Sequence, residues 1–283
     1  MILRSISKQV RHFSVIATDT DHIIYRKYPP VVLIGINNPD NRNAINESIA
    51  VDLKNALSTF ENDDEAKVGV IFGEGGNFCA GYDLKELANR LENPPKHFIE
   101  NDITDRFISK PLIAAVNGFA VGVGFDLALM CDLRIMETSA AFGYYGRRFG
   151  MPINKFGMRR LSAMVGFSKT MDLILTGRAV KSEEAFKIGL ANRVVECGTA
   201  IGQALSVAQD IAKFPEAALL EDRFSLYECN FPDTASKSIK NLDVCSSKHR
   251  EELLQDIKKG AKIFADGAGR KGSLFSKFLW DKV

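Results

Sequence analysis

Residues 117–133, NGFAVGVGFDLALMCDL, begin with glycines and small apolar residues and then place one carboxylate, Asp126, inside an apolar run. Gly122 and Gly124 precede this acid. Glycine lets a backbone approach a neighbouring group closely, and a helix start presents unpaired N–H groups at the positive end of its dipole. The stretch therefore predicts a strand, a tight turn and a helix that carries a single acid.

Strand-like and helix-like segments alternate on both sides of this stretch. Strands are predicted at KVGVIFG (67–73), PLIAAVNG (111–118) and LRIMET (133–138), and a hairpin at HIIYRKYPPVVLIGIN (22–37) turning near Pro29 and Pro30. Helices are predicted from the apolar spacing of 49–60, and at 83–91, 97–109 and 122–131. Strands alternating with helices over residues 30–145 indicate an α/β fold with parallel pairing and crossover helices.

The later part of the sequence changes character. From about residue 156 it is almost wholly helical in pattern, interrupted only by NRVVE at 192–196. We therefore predict a core over residues 19–198 and a helical C-terminal region over 199–283, which packs on the core or on a neighbouring subunit.

Composition excludes several classes of protein. The 283 residues are 46% hydrophobic and 25% charged, and no run reaches the roughly 18 apolar residues of a membrane span. A formal net charge of +2 provides no concentrated basic face for nucleic acid. The five cysteines form no CxxC pair, so neither a disulfide framework nor a zinc site is indicated. The four scattered histidines offer little for a Ser-His-Asp or Cys-His mechanism.

The first 18 residues have the composition of a targeting segment. They contain Arg4, Lys8 and Arg11 and no acid, and RHFS at 11–14 resembles a mitochondrial processing site with cleavage after Phe13. Residues 1–18 are therefore predicted to direct the protein to the mitochondrial matrix. The alternative is a basic N-terminus that carries no address.

Two glycine-rich loops each lead into a helix, GEGGNFCAGYDLKEL (73–87) and NGFAVGVGFDLALM (117–130). If the backbone N–H groups of Tyr82 and Val123 converge, they would bind one oxygen on which negative charge develops, as when a carbonyl becomes an enolate. The alternative is that each loop is only a tight strand-to-helix turn.

Asp126 lies three residues after Val123, nearly one helical turn, so its side chain is expected on the same face as that N–H. An acid among apolar neighbours costs free energy unless it is paired or used, and such surroundings raise its proton affinity toward the range useful for general acid/base catalysis. The alternative is a buried aspartate satisfied by a backbone N–H or an arginine.

At this point five stretches, in order and at the right spacing, resemble the crotonase superfamily, the enoyl-CoA hydratase/isomerase group, over residues 20–265. They are NPDNRNAIN, GGNFCAGYDLKEL, KPLIAAVNGFAVGVGFDLALMCDLRI, FGYYGRRFGM and LILTGRAVKSEEAFKIGLANRVV. The resemblance implies a spiral of ββα units with a helical C-terminal oligomerisation region, forming a trimer or a dimer of trimers. It also implies an acyl-CoA thioester as ligand, with no metal and no cofactor apart from the coenzyme A of the substrate.

The resemblance further implies roles for individual residues. The thioester oxygen would lie between the N–H groups of Tyr82 and Val123, with Asp126 as the catalytic acid/base. The backbone at Ala80 would meet the adenine, and the loop with Arg42 and Ala44 would follow the phosphates and pantetheine. The remaining predicted substrate-binding residues are Gly81, Asp83, Leu84, Gly122, Gly124 and Tyr145. Asp83 has the alternative of a helix-start residue, since an acid there accepts free N–H bonds.

The chemistry is where this sequence departs from the family pattern. Family hydratases use two glutamates; the first falls on Asp126, whose side chain is shorter by one bond, about 1.5 Å, and the second falls on Gly146, which has no carboxylate. Val123 stands at a usual glycine.

Neighbouring residues suggest substitutes for the missing acid. Tyr144 or Tyr145 is a candidate proton donor, and Arg147 or Arg148 a candidate partner for an anionic acyl group. Packing of the tyrosines and ion pairing of the arginines is the alternative. Near the C-terminus three basic residues are candidate phosphate contacts or part of a solvated tail: Arg270, Lys271 and Lys277.

The predicted function is an acyl-CoA-processing enzyme of the enoyl-CoA hydratase type, a lyase that stabilises a thioester enolate. The alternatives are another crotonase reaction, namely acyl-CoA decarboxylation, thioester hydrolysis or isomerisation, or a non-catalytic CoA-binding subunit. The walls of the acyl pocket are expected from residues 88–108 and 144–157.

Overall fold

The computed structural model describes residues 16–17, 19–86, 103–149, 151–231, 251–252 and 255. The chain divides into two compact units, residues 1–209 and 210–283. The strands are β1 (Ile16–Ala17), β2 (Ile23–Tyr28), β3 (Val31–Ile36), β4 (Val68–Gly73), β5 (Leu112–Val116), β6 (Phe119–Val121), β7 (Leu133–Glu137), β8 (Ala141–Gly143), β9 (Val180–Lys181) and β10 (Arg193–Val195). The helices are α1 (Glu47–Glu61), α2 (Val123–Met130), α3 (Lys155–Val165), α4 (Phe167–Thr176), α5 (Ser182–Lys187), α6 (Ala200–Ile211) and α7 (Glu216–Asn230).

Seven strands form the larger sheet in the order β1-β2-β3-β4-β5-β7-β10. β1, β2 and β3 pair antiparallel, and the pairs from β3 to β10 are parallel. The predicted hairpin at Pro29 and Pro30 and the predicted parallel core are thus confirmed. The central strands β3, β4 and β5 are buried along their whole length, as β-branched runs in parallel sheets are.

A second sheet of three strands has the order β6-β8-β9, with β6 and β8 parallel. β5 of the larger sheet is followed by β6 of the smaller sheet and then by α2, and β7 is followed in the same way by β8 and then, after a turn, by α3. This repetition of two strands and a helix confirms the predicted α/β fold of ββα units.

Two helices show how the core is built. α1 begins at the cap Asn46, whose side chain accepts a hydrogen bond from the Ile49 N–H at 2.8 Å, and it buries the predicted apolar stripe against β2 and β3. α2 is buried at every position. A helix buried all round lies inside the fold, so its single acid, Asp126, is an interior carboxylate.

The helix predicted over 97–109 is wrong for the part that the structure describes. Residues 103–109 form turns and bends. The carbonyls of Thr104 and Arg106 accept hydrogen bonds from the guanidinium of Arg160, and the Ser109 N–H donates to Glu61 at 2.8 Å. Tertiary partners therefore take the backbone groups that a helix would pair internally.

The chain ends lie mostly outside the described residues. Within the predicted targeting segment, Ile16 and Ala17 form β1, and this strand follows Phe13, the predicted cleavage position. Residues 1–15 and 18, most of the predicted helix 83–91, and Arg270, Lys271 and Lys277 are not described.

In the second unit, α7 buries Ala217 and Phe224, and Lys213 pairs with Asp210 at 2.8 Å. No helix in the described parts of either unit combines the length and the apolar character that a membrane crossing requires.

Candidate active site

A cavity of about 700 Å³ opens in the first unit where α2 begins. Its lining brings together most of the residues singled out in the sequence: Arg42, Ala80, Gly81, Tyr82, Leu84, Gly122, Val123, Asp126, Tyr144, Tyr145, Gly146 and Arg147. Further apolar lining comes from Phe119, Phe149, Met151, Pro152, Ile153 and Phe156. Five of these six lie in the 144–157 region predicted to form pocket walls.

Three predicted substrate-binding residues do not line this cavity. Ala44 is buried. Asp83 accepts hydrogen bonds from the N–H groups of Lys85 and Glu86 at 2.9 and 3.2 Å, which is the helix-start role given above as the alternative. Gly124 lies against the preceding loop, because a Cβ at this position would stand 2.4 Å from the Cys79 carbonyl oxygen.

The first glycine-rich loop is held by a parallel bridge to Ile45. The Ile45 N–H donates to the Gly81 carbonyl at 2.7 Å, and the Asp83 N–H donates to the Ile45 carbonyl at 2.9 Å. The Gly81 carbonyl and the Asp83 N–H both point toward Ile45. Because successive peptide groups of an extended chain point in opposite directions, the Tyr82 N–H points away from Ile45. Gly81 has φ of 91°, a conformation that L side chains rarely adopt.

The second loop turns sharply at Gly122, with φ of 57° and ψ of −126°. The Gly122 N–H donates to the Gly143 carbonyl at 2.9 Å, and its own carbonyl accepts from the N–H of Asp126 at 3.1 Å. The Val123 N–H has no hydrogen-bond partner among the residues that the structure describes. It is the first N–H of α2, where negative charge is favoured.

The two loops are in contact at their glycines. A Cβ on Gly81 would lie 3.0 Å from the Val121 carbonyl oxygen, and a Cβ on Gly122 would lie 3.7 Å from the Gly81 Cα. Tyr82 and Val123 each follow one of these glycines and line the same cavity. The arrangement predicted from the sequence, two backbone N–H groups beside one pocket, is compatible with this approach.

Asp126 is 3% exposed and its carboxylate lines the cavity. The Tyr144 hydroxyl donates a hydrogen bond to Asp126 Oδ1 at 2.8 Å, and the tyrosine is also 3% exposed. Burial raises the pKa of Tyr144 well above its ordinary value, and the Asp126 charge and hydrogen bond add to that rise, whereas Arg160 opposes it. The phenol is therefore a neutral donor at physiological pH.

Asp105 is a second acidic residue of the cavity lining; it falls in the 88–108 region predicted to form pocket walls, but the sequence analysis did not single it out as a functional residue. Buried Arg160 holds the carbonyls on either side of it, with Nη1 2.7 Å from Thr104 O and Nη2 2.9 Å from Arg106 O. These contacts with Arg160 of α3, which is distant in the sequence, hold the backbone that carries Asp105. No local sequence motif predicts this position.

The segment 145–149 is a short 3-10 turn whose cations contact protein groups. The Arg147 Nε donates to the Ile174 carbonyl at 3.2 Å, and the Arg148 guanidinium lies over the Tyr145 ring at 5.1 Å. Neither contact is the ion pair given above as the alternative for the arginines; one is a hydrogen bond to a backbone carbonyl and the other is packing on an aromatic ring. Gly146 lies beside Met151, and a Cβ there would be 3.1 Å from the Met151 Cβ.

Metal ions in proteins are bound by sets of ligand side chains. No group of three or more His, Cys, Asp or Glu residues in the described ranges could hold a metal ion.

The chain is similar to known proteins in both sequence and fold. A family model described as enoyl-CoA hydratase/isomerase matches residues 26–265. The chain is 34% identical over 198 residues to a short-chain-enoyl-CoA hydratase of Clostridium acetobutylicum, covering 68% of this chain and 76% of the relative. It is 34% identical over 191 residues to a probable mitochondrial enoyl-CoA hydratase of Dictyostelium discoideum, covering 66% and 68%. A solved enoyl-CoA hydratase from Mycobacterium tuberculosis superposes with a TM-score of 0.73 at 31% identity, over 87% of this chain and 96% of that one.

Proposed function

We infer, from the premise that the chain belongs to the enoyl-CoA hydratase/isomerase family, that it is an enoyl-CoA hydratase-type lyase. In this reaction water adds across the Cα=Cβ bond of an enoyl-CoA thioester. The observation that carries the proposal is the buried Asp126 in the cavity lining. It lies nearly one helical turn after the Val123 N–H, which has no hydrogen-bond partner in the part of the chain that the structure describes.

The proposal assigns the thioester oxygen to the N–H groups of Tyr82 and Val123. As the water oxygen bonds to Cβ, the π electrons move through Cα to the carbonyl and leave negative charge on that oxygen. Preorganised donors stabilise such charge most in a water-poor site, where a single donor contributes roughly 3–4 kcal/mol. The contact between Gly81 and Gly122 supports this assignment.

Asp126 is proposed to move the protons. It accepts the proton that water loses as the C–O bond forms, and it returns a proton to Cα when the enolate collapses, so that water is added and the carboxylate is regenerated. The resemblance places a second family glutamate at Gly146, and this chain offers no carboxylate there. We therefore propose that one acid performs both transfers.

The remaining cavity residues are proposed to hold the substrate. Arg42, Ala80, Gly81 and Leu84 line the side near the first loop, where the coenzyme A part is expected, and coenzyme A enters as part of the substrate. The apolar residues of 145–156 are assigned to the acyl group. Ala44, Asp83 and Gly124 then support the loops without lining the cavity.

Asp126→Asn tests the proposal against the matched control Asp64→Asn, which changes an exposed acid. We expect kcat on an enoyl-CoA panel to fall by roughly 100-fold or more, the contribution of a positioned acid/base, with the Kd for a saturated acyl-CoA unchanged. The control should retain the parent kcat. Parent-like turnover in Asp126→Asn would contradict the acid/base role.

A second candidate is a different enolate reaction of the same site, such as decarboxylation, thioester hydrolysis or isomerisation. The glycine at position 146 supports this second candidate, because the resemblance places an acid of the family's hydratases there. Product analysis together with deuterium exchange at Cα distinguishes the reactions, since exchange reports the enolate. Binding without turnover or exchange across the panel would indicate a non-catalytic CoA-binding subunit.

Assembly and location are also proposals. We propose a homotrimer or a dimer of trimers, which sedimentation velocity would resolve from a monomer.

We propose that residues 1–18 direct import into the mitochondrial matrix, with support from their basic, acid-free composition and the name of the Dictyostelium relative. Import and processing by isolated mitochondria should be lost when residues 1–18 are removed, and persistence of import would overturn this proposal.

A further inference from the structure

We propose that Tyr144 is a positioning residue for Asp126: the Tyr144 phenol holds the carboxylate at Oδ1 and thereby fixes the orientation in which Asp126 exchanges protons with the substrate. The inference rests on the proposed function, since it concerns how the same acid works. It assigns a task to a residue that follows β8 directly and stands two positions before Gly146.

The geometry holds the phenol in place. Its oxygen lies 2.8 Å from Asp126 Oδ1, and both side chains are 3% exposed. The Tyr144 ring packs against Phe125 with centroids 4.9 Å apart, and Phe125 stacks on Phe142 at 4.6 Å. Because Phe125 directly precedes Asp126, one aromatic cluster orients both members of the hydrogen bond.

The backbone of α3 closes the same side of the carboxylate. A Cβ on Gly157 would stand 1.9 Å from Asp126 Oδ1 and 3.1 Å from Oδ2. Oδ1 thus lies between the Tyr144 hydroxyl and the Gly157 backbone, and no side chain fits at 157 without moving the acid. The two oxygens of Asp126 are thereby made unequal.

Tyr144 acts as a donor over the whole working range of pH. Burial is the main cause that raises its pKa well above the ordinary value of 10.0, and the negative charge of Asp126 adds to it. A phenol that does not ionise donates to a carboxylate and stabilises its charged form. The hydrogen bond thus favours the charged form of the Asp126 carboxylate, which is the form that accepts a proton.

Other charged groups lie near Tyr144 or line the same cavity as Asp126. Arg160 on α3 is close enough to oppose the rise in the Tyr144 pKa. The charged residues lining the cavity with Asp126 are Arg42, Asp105, Arg147 and Lys155. All of them stay in place when only the Tyr144 hydroxyl is removed.

The arrangement matters because the proposed mechanism uses one acid. The proton that Asp126 takes from water must return to Cα of the same substrate. The carboxylate oxygen that carries this proton therefore has to lie within reach of both the water and Cα. A carboxylate that rotated would spread the proton over two oxygens. The fixed hydrogen bond at Oδ1 removes that freedom.

Tyr144→Phe is compared with Tyr25→Phe to test the inference. Tyr25 is also buried, in β2, and its hydroxyl has no hydrogen-bond partner in the described residues. We expect kcat to fall about 10-fold or more in Tyr144→Phe, as for a lost hydrogen bond to a charged group, with KM unchanged. The acidic limb of the pH–kcat/KM profile should move to higher pH, because the Asp126 carboxylate loses a donor. Tyr25→Phe should change neither.

A second variant covers the case in which Tyr144→Phe does not fold, and a second readout does not depend on turnover. Gly157→Ala keeps the phenol and displaces the carboxylate, and it should lower kcat with KM kept. Carbon-13 NMR of aspartate-labelled protein follows the Asp126 carboxyl, assigned by its loss in Asp126→Asn, and its titration midpoint should rise in Tyr144→Phe. Parent-like kcat and pH profile in Tyr144→Phe would overturn the inference. Absence of turnover in the parent protein would instead count against the proposed function, and the NMR titration would still decide the role of Tyr144.

Discussion

Single residues set the spacing of the two loops at the cavity. Gly81 and Gly122 both have positive φ and touch each other across the gap between the loops. A side chain at Gly81 would meet the Val121 carbonyl at 3.0 Å, and backbone cannot move aside as the end of a flexible side chain can. The amides proposed to hold the thioester oxygen therefore depend on two residues that have no functional group of their own.

Gly81→Ala tests this dependence against Gly76→Ala. Both glycines have positive φ, 91° and 96°, so both alanines cost about 1–2 kcal/mol in backbone strain. A Cβ at Gly81 also meets the Val121 carbonyl at 3.0 Å, whereas one at Gly76 meets nothing within 4 Å. We expect kcat/KM to fall about 10-fold or more only in Gly81→Ala, because the Tyr82 amide moves. Equal kinetics in the two variants would show that loop spacing does not matter.

At the level of elements, local patterns predicted much of the architecture. The β-branched runs of β3, β4 and β5, the apolar stripe of α1 and the glycine turn before α2 all appear as expected, because each depends on short-range periodicity or on a backbone conformation. The helix predicted over 97–109 fails where Arg160, more than 50 residues later, binds its carbonyls.

The features of the candidate site also fall into those that the local sequence predicts and those that it does not. The glycine turns and the helical spacing predicted three residues of the site, and all three line the cavity: Tyr82, Val123 and Asp126. The hydrogen bond from Tyr144 to Asp126 and the position of Asp105 depend on how β8, α2 and α3 pack together. Sequence spacing carries no signal for such contacts.

Arg134 links elements of the larger sheet and provides a stability test. It lies on β7 and is buried, with Nε 2.7 Å from the Leu190 carbonyl and Nη1 2.6 Å from the Cys131 carbonyl. Arg134→Met removes the guanidinium donors from these buried acceptors and should lower the free energy of unfolding by about 3 kcal/mol. Arg193→Met, at an exposed position on β10, should stay within about 0.5 kcal/mol. Urea unfolding measures both, and a loss below about 1 kcal/mol in Arg134→Met would contradict the expectation.

At the scale of the molecule, stability depends on pH through ion pairs that join elements. Arg178 bridges Asp172 of α4 and Glu184 of α5, each at 2.7 Å. Its hydrogen bonds lower the pKa of Asp172 from 3.8 and of Glu184 from 4.5. Because the folded-state pKa values are depressed, the stability they bring is present above the unfolded values and is lost as pH falls through the folded ones.

Arg178→Met should therefore be less stable than the parent protein near pH 7, with the difference shrinking as the pH falls below about 4. Free energies of unfolding in urea at several pH values measure this trend. Arg193→Met, which removes an exposed cation, is the control and should show no such convergence. A difference that persists undiminished at pH 2–3 would mean that Arg178 stabilises the fold by packing alone.

The hydrogen bond from the Gly122 N–H to the Gly143 carbonyl, 2.9 Å long, has a practical meaning for redesign. It anchors the turn before Val123 to the strand end before Tyr144, whereas the apolar cavity wall of 145–149 and 151–156 follows that anchor in the sequence. Under the proposed function, the residues assigned to the acyl group and those assigned to the reaction therefore lie in separate segments of the chain. An engineer can exchange the wall for one of another shape and keep the proposed reactive residues, provided that the exchange begins after Tyr144 and ends before Gly157, whose backbone lies against Asp126.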